Sequence, residues 1–198
     1  MDLQNSKGTL KTAMPRPKGS RDRDYEARRQ ALMALARAHL SSPSGRSASW
    51  RELAAACQVS VSTMNHYFKG RGDLIAAIIE NAEKEGAPYL VQASTPSGPF
   101  PQSIAQLVMA LSFGFEHGVL ALQIIGIGEG FADRDVSSAF LGHHLEPVLG
   151  AIAARLETHI NAGEMAQTDT HFAAISLLSP LLVAHLHQTA LGGHADYP

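Results

Sequence analysis

The sequence predicts an all-α fold with a small N-terminal helical module and a larger helical body. Apolar residues recur at three- and four-residue spacings from about residue 24 to residue 190, and the two-residue alternation of a strand is nowhere sustained. Helix-start signals precede two short apolar patterns: Ser49 with Glu52 three residues on, and Ser60 before Val61-Ser62-Thr63-Met64. Apolar residues make up 45% of the 198, enough for a real core rather than a disordered chain.

Residues 1–22 are polar and basic, with Pro, Gly, Lys and Arg concentrated at 15–21, and are expected to form a flexible arm. A minor-groove contact by this arm is the sharper alternative. Residues 24–41 form the first helix, with Leu32, Leu35, Ala36 and Leu40 on one face and Arg28, Arg29 and Arg37 on its surface. Pro43 and Gly45 end it. The stretch 49–68 then reads as helix, tight turn, helix. In the first of these helices Leu53, Ala54 and Ala56 make a small apolar face that lets a neighbour approach. In the second, Met64 and Phe68, four apart, share a buried face. The other side of that helix shows Val61, Ser62, Thr63, Asn65, His66 and Tyr67, mostly hydrogen-bonding groups of modest length. Such a helix can read base edges in a major groove.

A longer helix begins at Arg71 and runs to about Glu85, with Leu74, Ile75, Ile78 and Ile79 inward. It links the module to the body. A break is expected at 93–101, Ala-Ser-Thr-Pro-Ser-Gly-Pro-Phe-Pro. Further helices are expected at about 102–116, 119–131, 135–162 and 169–190. Pro147 and Pro180 must kink or break the last two.

The module 49–68 and its flanks resemble the DNA-binding domain of the tetracycline-repressor (TetR) family of transcriptional regulators. The resemblance lies in Ser49-Trp50-Arg51-Glu52-Leu53-Ala54, Cys57-Gln58-Val59-Ser60, Thr63-Met64, His66-Tyr67-Phe68, Arg71 and Leu74, and it extends backward without a gap over Leu32-Met33, Leu35-Ala36 and Leu40. It covers about residues 28–80. Three departures stand out. Gln58 occupies the usual turn glycine, where a positive φ would strain it. Val61 and Ser62 stand where Lys and Gly are common, and Asn65 stands where Tyr is common. An asparagine there can pair bidentately with adenine.

The resemblance implies residues 23–72 as DNA-binding domain and 73–198 as a helical effector-binding and dimerisation domain. It implies a homodimer placing two recognition helices on a near-palindromic double-stranded operator, with repression relieved by a small apolar or amphipathic effector. Ser62, Thr63, Asn65 and His66 are the expected base contacts. Ser49, Tyr67, Lys69 and Arg71 are the expected phosphate contacts, with Ser60 and Val61 at the helix start. An effector pocket is expected among Met109, Phe113, Leu120, Ile124, Ile127, Glu129 and Phe131, within a run apolar on more than one helical face. Glu129 is expected to pair with an arginine such as Arg134, to face solvent, or to contact the effector.

Charge distribution agrees with this division. Residues 1–75 hold 4 Lys and 9 Arg against 6 acidic residues, a net charge of +7, and residues 76–198 hold 3 basic against 12 acidic residues, a net charge of −9. A basic module on an acidic body suits a polyanionic partner. The single cysteine, Cys57, excludes an intrachain disulfide and fits a reducing cytoplasm, where it packs as a small apolar residue. The apolar stretches are expected to break before membrane-spanning length, and no signal-peptide core follows the basic start. No membrane partner is expected.

Catalytic and metal chemistry find little support. Gly126-Ile127-Gly128-Glu129-Gly130 follows no strand and lacks the G-x-G-x-x-G spacing, so close helix packing is its expected role. His143-His144 and His185/His187 do not share helix faces, and no H-E-x-x-H occurs. G-x-S-x-G is missing. No enzyme activity, cofactor or metal is expected. A regulator-like DNA-binding protein without a small-molecule effector is the first alternative. A helical enzyme or carrier that retains the module is the second.

Overall fold

The computed structural model describes residues 20–194. Helices account for its regular structure, and no strand occurs among the described residues. The N-terminal module comprises α1 (Ser20–Leu40), α2 (Trp50–Ala56) and α3 (Val61–Tyr67). The linking helix α4 (Arg71–Ser94) leads into the body: α5 (Phe100–Gly114), α6 (Leu120–Gly130), α7 (Arg134–Phe140), α8 (Glu146–Asn161) and α9 (Thr170–His185). The first helix begins at Ser20, inside the stretch expected as an arm; the rest of that arm, and its minor-groove contact, lie outside the described residues.

Two apolar cores organise the chain. The first joins Leu32, Ala36 and Leu40 of α1, Leu53 and Ala54 of α2, Met64 of α3, Phe68, and Leu74, Ile75, Ile78 and Ile79 of α4. Leu35, expected on the same face of α1, is 46% exposed, because it falls to one side of the stripe made by Leu32, Met33, Ala36 and Leu40. It continues into the body through Leu122 and Ile125 of α6 and Val136, Ala139 and Phe140 of α7. The module therefore shares its core with the near half of the body, across the 72/73 boundary. The second core lies farther along and joins Leu107, Phe115, Leu120, Leu149, Ile152, Leu156, Ala174 and Leu178. Leu145 packs against both.

Glycines set two of these contacts. A Cβ on Gly126 would lie 2.2 Å from a ring carbon of Phe140, so α6 and α7 meet only because residue 126 has no side chain. At Gly118, φ is 106°, and this left-handed residue breaks α5 from α6 at the break expected between 116 and 119.

Several boundaries differ from expectation. The linking helix runs to Ser94 instead of about Glu85, passing through Pro88 and confining the break to the loop 95–99. Its extension depends on Arg155 of α8, which is 3% exposed. The guanidinium donates to the carbonyls of Ala93 (2.7 Å), Gln92 (2.7 Å), Thr95 (2.6 Å) and Ser103 (3.0 Å), and to the Ser103 hydroxyl (2.8 Å). A cation at a helix C-terminus satisfies carbonyls that have no intrahelical partner and favours the dipole.

The segment expected as one helix over 135–162 is two, α7 and α8, joined by a wide π-helical turn at Leu141–Leu145. Pro147 follows in the first turn of α8. A proline cannot donate to the ladder and its ring strikes the carbonyl four residues back, and the wide turn relieves both. A similar turn, Leu186–Ala190, ends α9, while Pro180 is accommodated inside that helix.

The expectation that apolar stretches fall short of membrane-spanning length does not hold by length and composition. Residues 100–130, counted through the Gly118 break, and residues 170–190 both qualify, with mean hydropathies of 1.6 and 1.2. The most apolar eighteen residues of each are 28% and 11% buried. On α9 the inner face carries Ala174 and Leu178, and the outer face carries exposed Phe172, Ile175 and Val183, so this helix is apolar all round.

Candidate nucleic-acid interface

The two short helices of the module are held by local chemistry that the sequence specifies. Ser49 caps α2: its hydroxyl accepts from the Glu52 amide at 3.4 Å, and the Glu52 carboxylate accepts from the Ser49 amide at 2.7 Å. The Ser49 amide, and after it the Ser49 hydroxyl, hold the Glu52 carboxyl below its ordinary range. The helix ends with Gln58 at φ 57°. The Gln58 amide donates to Ala55 O and the Val59 amide to Ala54 O, the paired bonds of a Schellman turn. That turn needs a left-handed residue, which is why glycine is usual there. Ser60 then caps α3, accepting from the Thr63 amide at 3.0 Å and sharing a hydrogen bond with the Thr63 hydroxyl at 2.9 Å.

Inward, Met64 and Phe68 are fully buried, and Arg29 lies over the Phe68 ring at 5.1 Å from its centroid. With its inner face locked, α3 cannot rotate, and its outer face is fixed. Ser62, Asn65 and His66 are exposed on that face. Ser60 is exposed at the cap; Val61 is half-buried against the first core, and Thr63 is half-buried with its hydroxyl on Ser60.

Two residues outside the expected set organise this surface. Trp50, in the first turn of α2, donates its indole N–H to Asn65 Oδ1 at 2.8 Å. Tyr25 of α1 stacks on Tyr67 at 4.8 Å, sits edge-on to His66 at 5.6 Å, and donates its hydroxyl to the His66 carbonyl at 3.4 Å. Neither partnership follows from local spacing, since the pairs are fifteen or more residues apart. The aromatic character of positions 25 and 50 was the only signal in the sequence.

The expected phosphate contacts divide. Ser49, Tyr67 and Lys69 lie at or near the surface, with the Lys69 amide donating to Asp73 at 2.9 Å. Arg71 faces the body instead. Its guanidinium is bound by Glu129 through Nη2 at 2.7 Å and through Nε at 3.1 Å to each carboxylate oxygen. It also donates to the carbonyls of Arg46 (2.9 Å) and Ala48. Glu129 therefore pairs with Arg71 and not with Arg134, and both groups are largely withdrawn from solvent.

The residues expected to line an effector pocket are dispersed. Leu120 is buried in the second core and Ile124 packs against it, whereas Ile127 packs against the first core. Met109, Phe113 and Phe131 are exposed in the single chain, Phe131 at 89% because it falls at the C-terminal cap of α6. Phe113 stacks on His117 at 3.7 Å at the bend between α5 and α6. Glu129 is occupied by Arg71. Among the described residues three polar atoms of the body are buried without hydrogen-bond partners, Gln123 Oε1, His144 Nε2 and His159 Nε2. The first two lie beside the junction of the two cores: Gln123 stands between Leu122 of the first and Ile124 of the second, and His144 precedes Leu145, which touches both; His159 sits apart, against Phe100 and Glu164.

Histidine pairs do not converge on one point. His143 meets Glu83 at 2.8 Å, while His144 turns inward beside Phe140. Among the described residues no group of three or more His, Cys, Asp or Glu side chains has metal-holding geometry. Cys57 is buried, its thiol toward Leu32 O at 3.7 Å, and burial raises its pKa.

No protein-family model matches the sequence, and no curated protein matches it. Solved structures do. One, from Mesorhizobium loti and described as a TetR-family transcriptional regulator, is 16% identical with a TM-score of 0.66, covering 88% of each chain. A TetR transcription regulator from Haloarcula marismortui is 15% identical with a TM-score of 0.68, covering 85% of this chain and 89% of its own. The fatty acid degradation regulator FadR from Bacillus halodurans is 13% identical with a TM-score of 0.64, covering 84% and 87%. With a helix-turn-helix module and an all-helical body aligned over most of its length, this chain has the TetR-like fold.

Proposed function

We propose that the protein is a sequence-specific DNA-binding transcriptional regulator, acting in the cytoplasm as a homodimer, with residues 23–72 reading DNA and residues 73–198 carrying control and dimerisation. One observation carries this reading. The third helix presents Ser62, Asn65 and His66 outward while Met64 and Phe68 anchor its inner face, so the polar set is held as a rigid, readable edge. The basic first quarter of the chain supports it. Selection of bound sequences from random double-stranded DNA tests it. The expected product is a near-palindromic motif, and the absence of any enriched sequence at low salt would refute the reading.

The exposed apolar face of α9 supports a dimer. Phe172, Ile175 and Val183 follow one helical stripe beside α8, and a two-fold helix bundle would cover them. This is a better use of that surface than a membrane, because the same helix contributes Ala174 and Leu178 to a folded core. Light scattering at micromolar concentration should return twice the 21.1 kDa chain mass.

For control, the reading is repression released by a small apolar or amphipathic effector. Gln123 Oε1 and His144 Nε2 support it, since buried polar atoms without partners are costly and the polar end of a ligand would satisfy the amide and imidazole that carry them. The Bacillus halodurans neighbour is named a fatty acid degradation regulator, which makes fatty acids a reasonable first class of amphiphile to screen. Release of the selected DNA by medium-chain fatty acids or similar amphiphiles checks this arm; failure of all such compounds would favour a regulator without a small-molecule effector.

A further inference from the structure

The hydrogen bond between α2 and α3 bears on which base the recognition helix reads. Asparagine pairs bidentately with adenine only when its Oδ1 accepts from the base amine while its Nδ2 donates to N7. Here Oδ1 accepts from Trp50 Nε1 at 2.8 Å. The indole N–H is a donor and never an acceptor, so the amide must turn its oxygen toward Trp50. The amine is left on the outer side. Trp50 is itself half-buried and packed against the first core, so the indole is a fixed post.

We infer that Trp50 is a positioning residue that makes Asn65 a donor-only reader, selecting guanine at the base it meets. The deduction rests on the DNA-binding reading above. Guanine presents two adjacent acceptors, O6 and N7, to the outward amine. Adenine places an amine donor beside its N7, cytosine offers only a donor, and thymine offers the single acceptor O4 beside its methyl group, so guanine, with two acceptors, is favoured over all three. The bidentate adenine contact open to a free asparagine is withheld by the Trp50 bond. His66 and Ser62 flank Asn65 on the exposed face and read neighbouring positions.

Random-DNA selection with three proteins tests this: the wild type, Trp50→Phe and Asn65→Asp. The wild type should show guanine at one position of each half-site. With Asn65→Asp, one carboxylate oxygen keeps the indole bond and the other becomes an outward acceptor, so that position should change to cytosine. With Trp50→Phe the oxygen is freed, and the position should move toward adenine, with the guanine preference falling about tenfold. An unchanged motif in Trp50→Phe, or adenine at that position already in the wild type, would overturn the inference. Should Trp50→Phe fail to fold, Asn65→Asp decides alone: it alters an exposed side chain, and an unchanged preference sinks the assignment. A wild type that enriches no sequence would overturn the DNA-binding reading and this assignment with it.

Discussion

At position 58 a glutamine does a glycine's task. Its φ of 57° places it in the left-handed region, and its amide closes the turn on Ala55. The strain costs about 1 kcal/mol relative to glycine, partly offset by the greater freedom glycine has when unfolded. Gln58→Gly should therefore raise stability by roughly 0.5–1 kcal/mol, seen as a higher midpoint in urea with an unchanged slope. His144 makes an opposite kind of demand. Burial, with a smaller contribution from the nearby Arg37 charge, lowers its pKa to about 4. Its surroundings include the Arg37–Glu85 pair between α1 and α4 and the Glu83–His143 pair between α4 and the π-helical turn. Above pH 6.5 His144 is neutral in both folded and unfolded chains and has no effect on the balance. Between pH 6.5 and 4 the unfolded chain takes up a proton that the folded one refuses, so stability falls with pH by on the order of 3 kcal/mol. His144→Phe should flatten this decline when unfolding is followed across that range; an equally steep decline would show that other groups cause it.

Among the elements, α4 illustrates how a helix is set from both ends. Its periodic apolar face was legible, since Leu74, Ile75, Ile78 and Ile79 stand at helical spacings and are all buried. Its C-terminus was not, because the group that holds it is Arg155, some sixty residues away in sequence. Arg155→Met should remove those bonds while leaving the carbonyls buried, at a cost of about 3–4 kcal/mol. Amide exchange should quicken in the last turn of α4. Protection left as in the wild type would mean that the turn does not depend on the guanidinium. The module's short helices were more fully legible, because capping boxes, turn residues and a four-residue apolar pair act within one or two turns. Trp50–Asn65 and Tyr25–Tyr67 were not, since they join side chains on different helices.

For the whole molecule, the central contact is Arg71 with Glu129. Arg71 opens α4, its other donors hold the carbonyls of Arg46 and Ala48 before α2, and Glu129 ends α6. One guanidinium thus ties the loop ahead of the helix-turn-helix to the body. Arg155 ties the other end of the same helix to α5 and α8. The two attachments thus fix α4 to α6 at one end and to α5 and α8 at the other. Arg71→Ala, Glu129→Ala and the double variant should give a coupling free energy of about 1–3 kcal/mol in unfolding experiments. Additive losses would mean the pair is not energetically joined. Because Arg71 is committed to the body, its removal should leave the salt dependence of DNA binding unchanged. Lys69→Ala should lower the logarithmic slope by about 0.9, the signature of one lost phosphate contact. A drop for Arg71→Ala and none for Lys69→Ala would reverse these assignments.

What the sequence determined by itself is the set of features written in near neighbours: an all-α chain, the capped helices of the module, the inward residues of α1 to α4 other than Leu35, and the polar set on α3. These depend on backbone hydrogen bonds and side chains three or four residues apart, so a short window contains both partners. What only the tertiary structure decided is where long side chains end. Arginine and glutamate reach several ångströms from the backbone, and local sequence does not say whether Arg71 meets a phosphate or Glu129, or whether Glu129 meets Arg134 or Arg71. The same holds for the body, where an apolar run is equally consistent with a core, a pocket wall or an interface until its neighbours are in place. The partners are chosen by the packing of α4 against α6, α7 and α8, which brings groups more than fifty residues apart within hydrogen-bond distance.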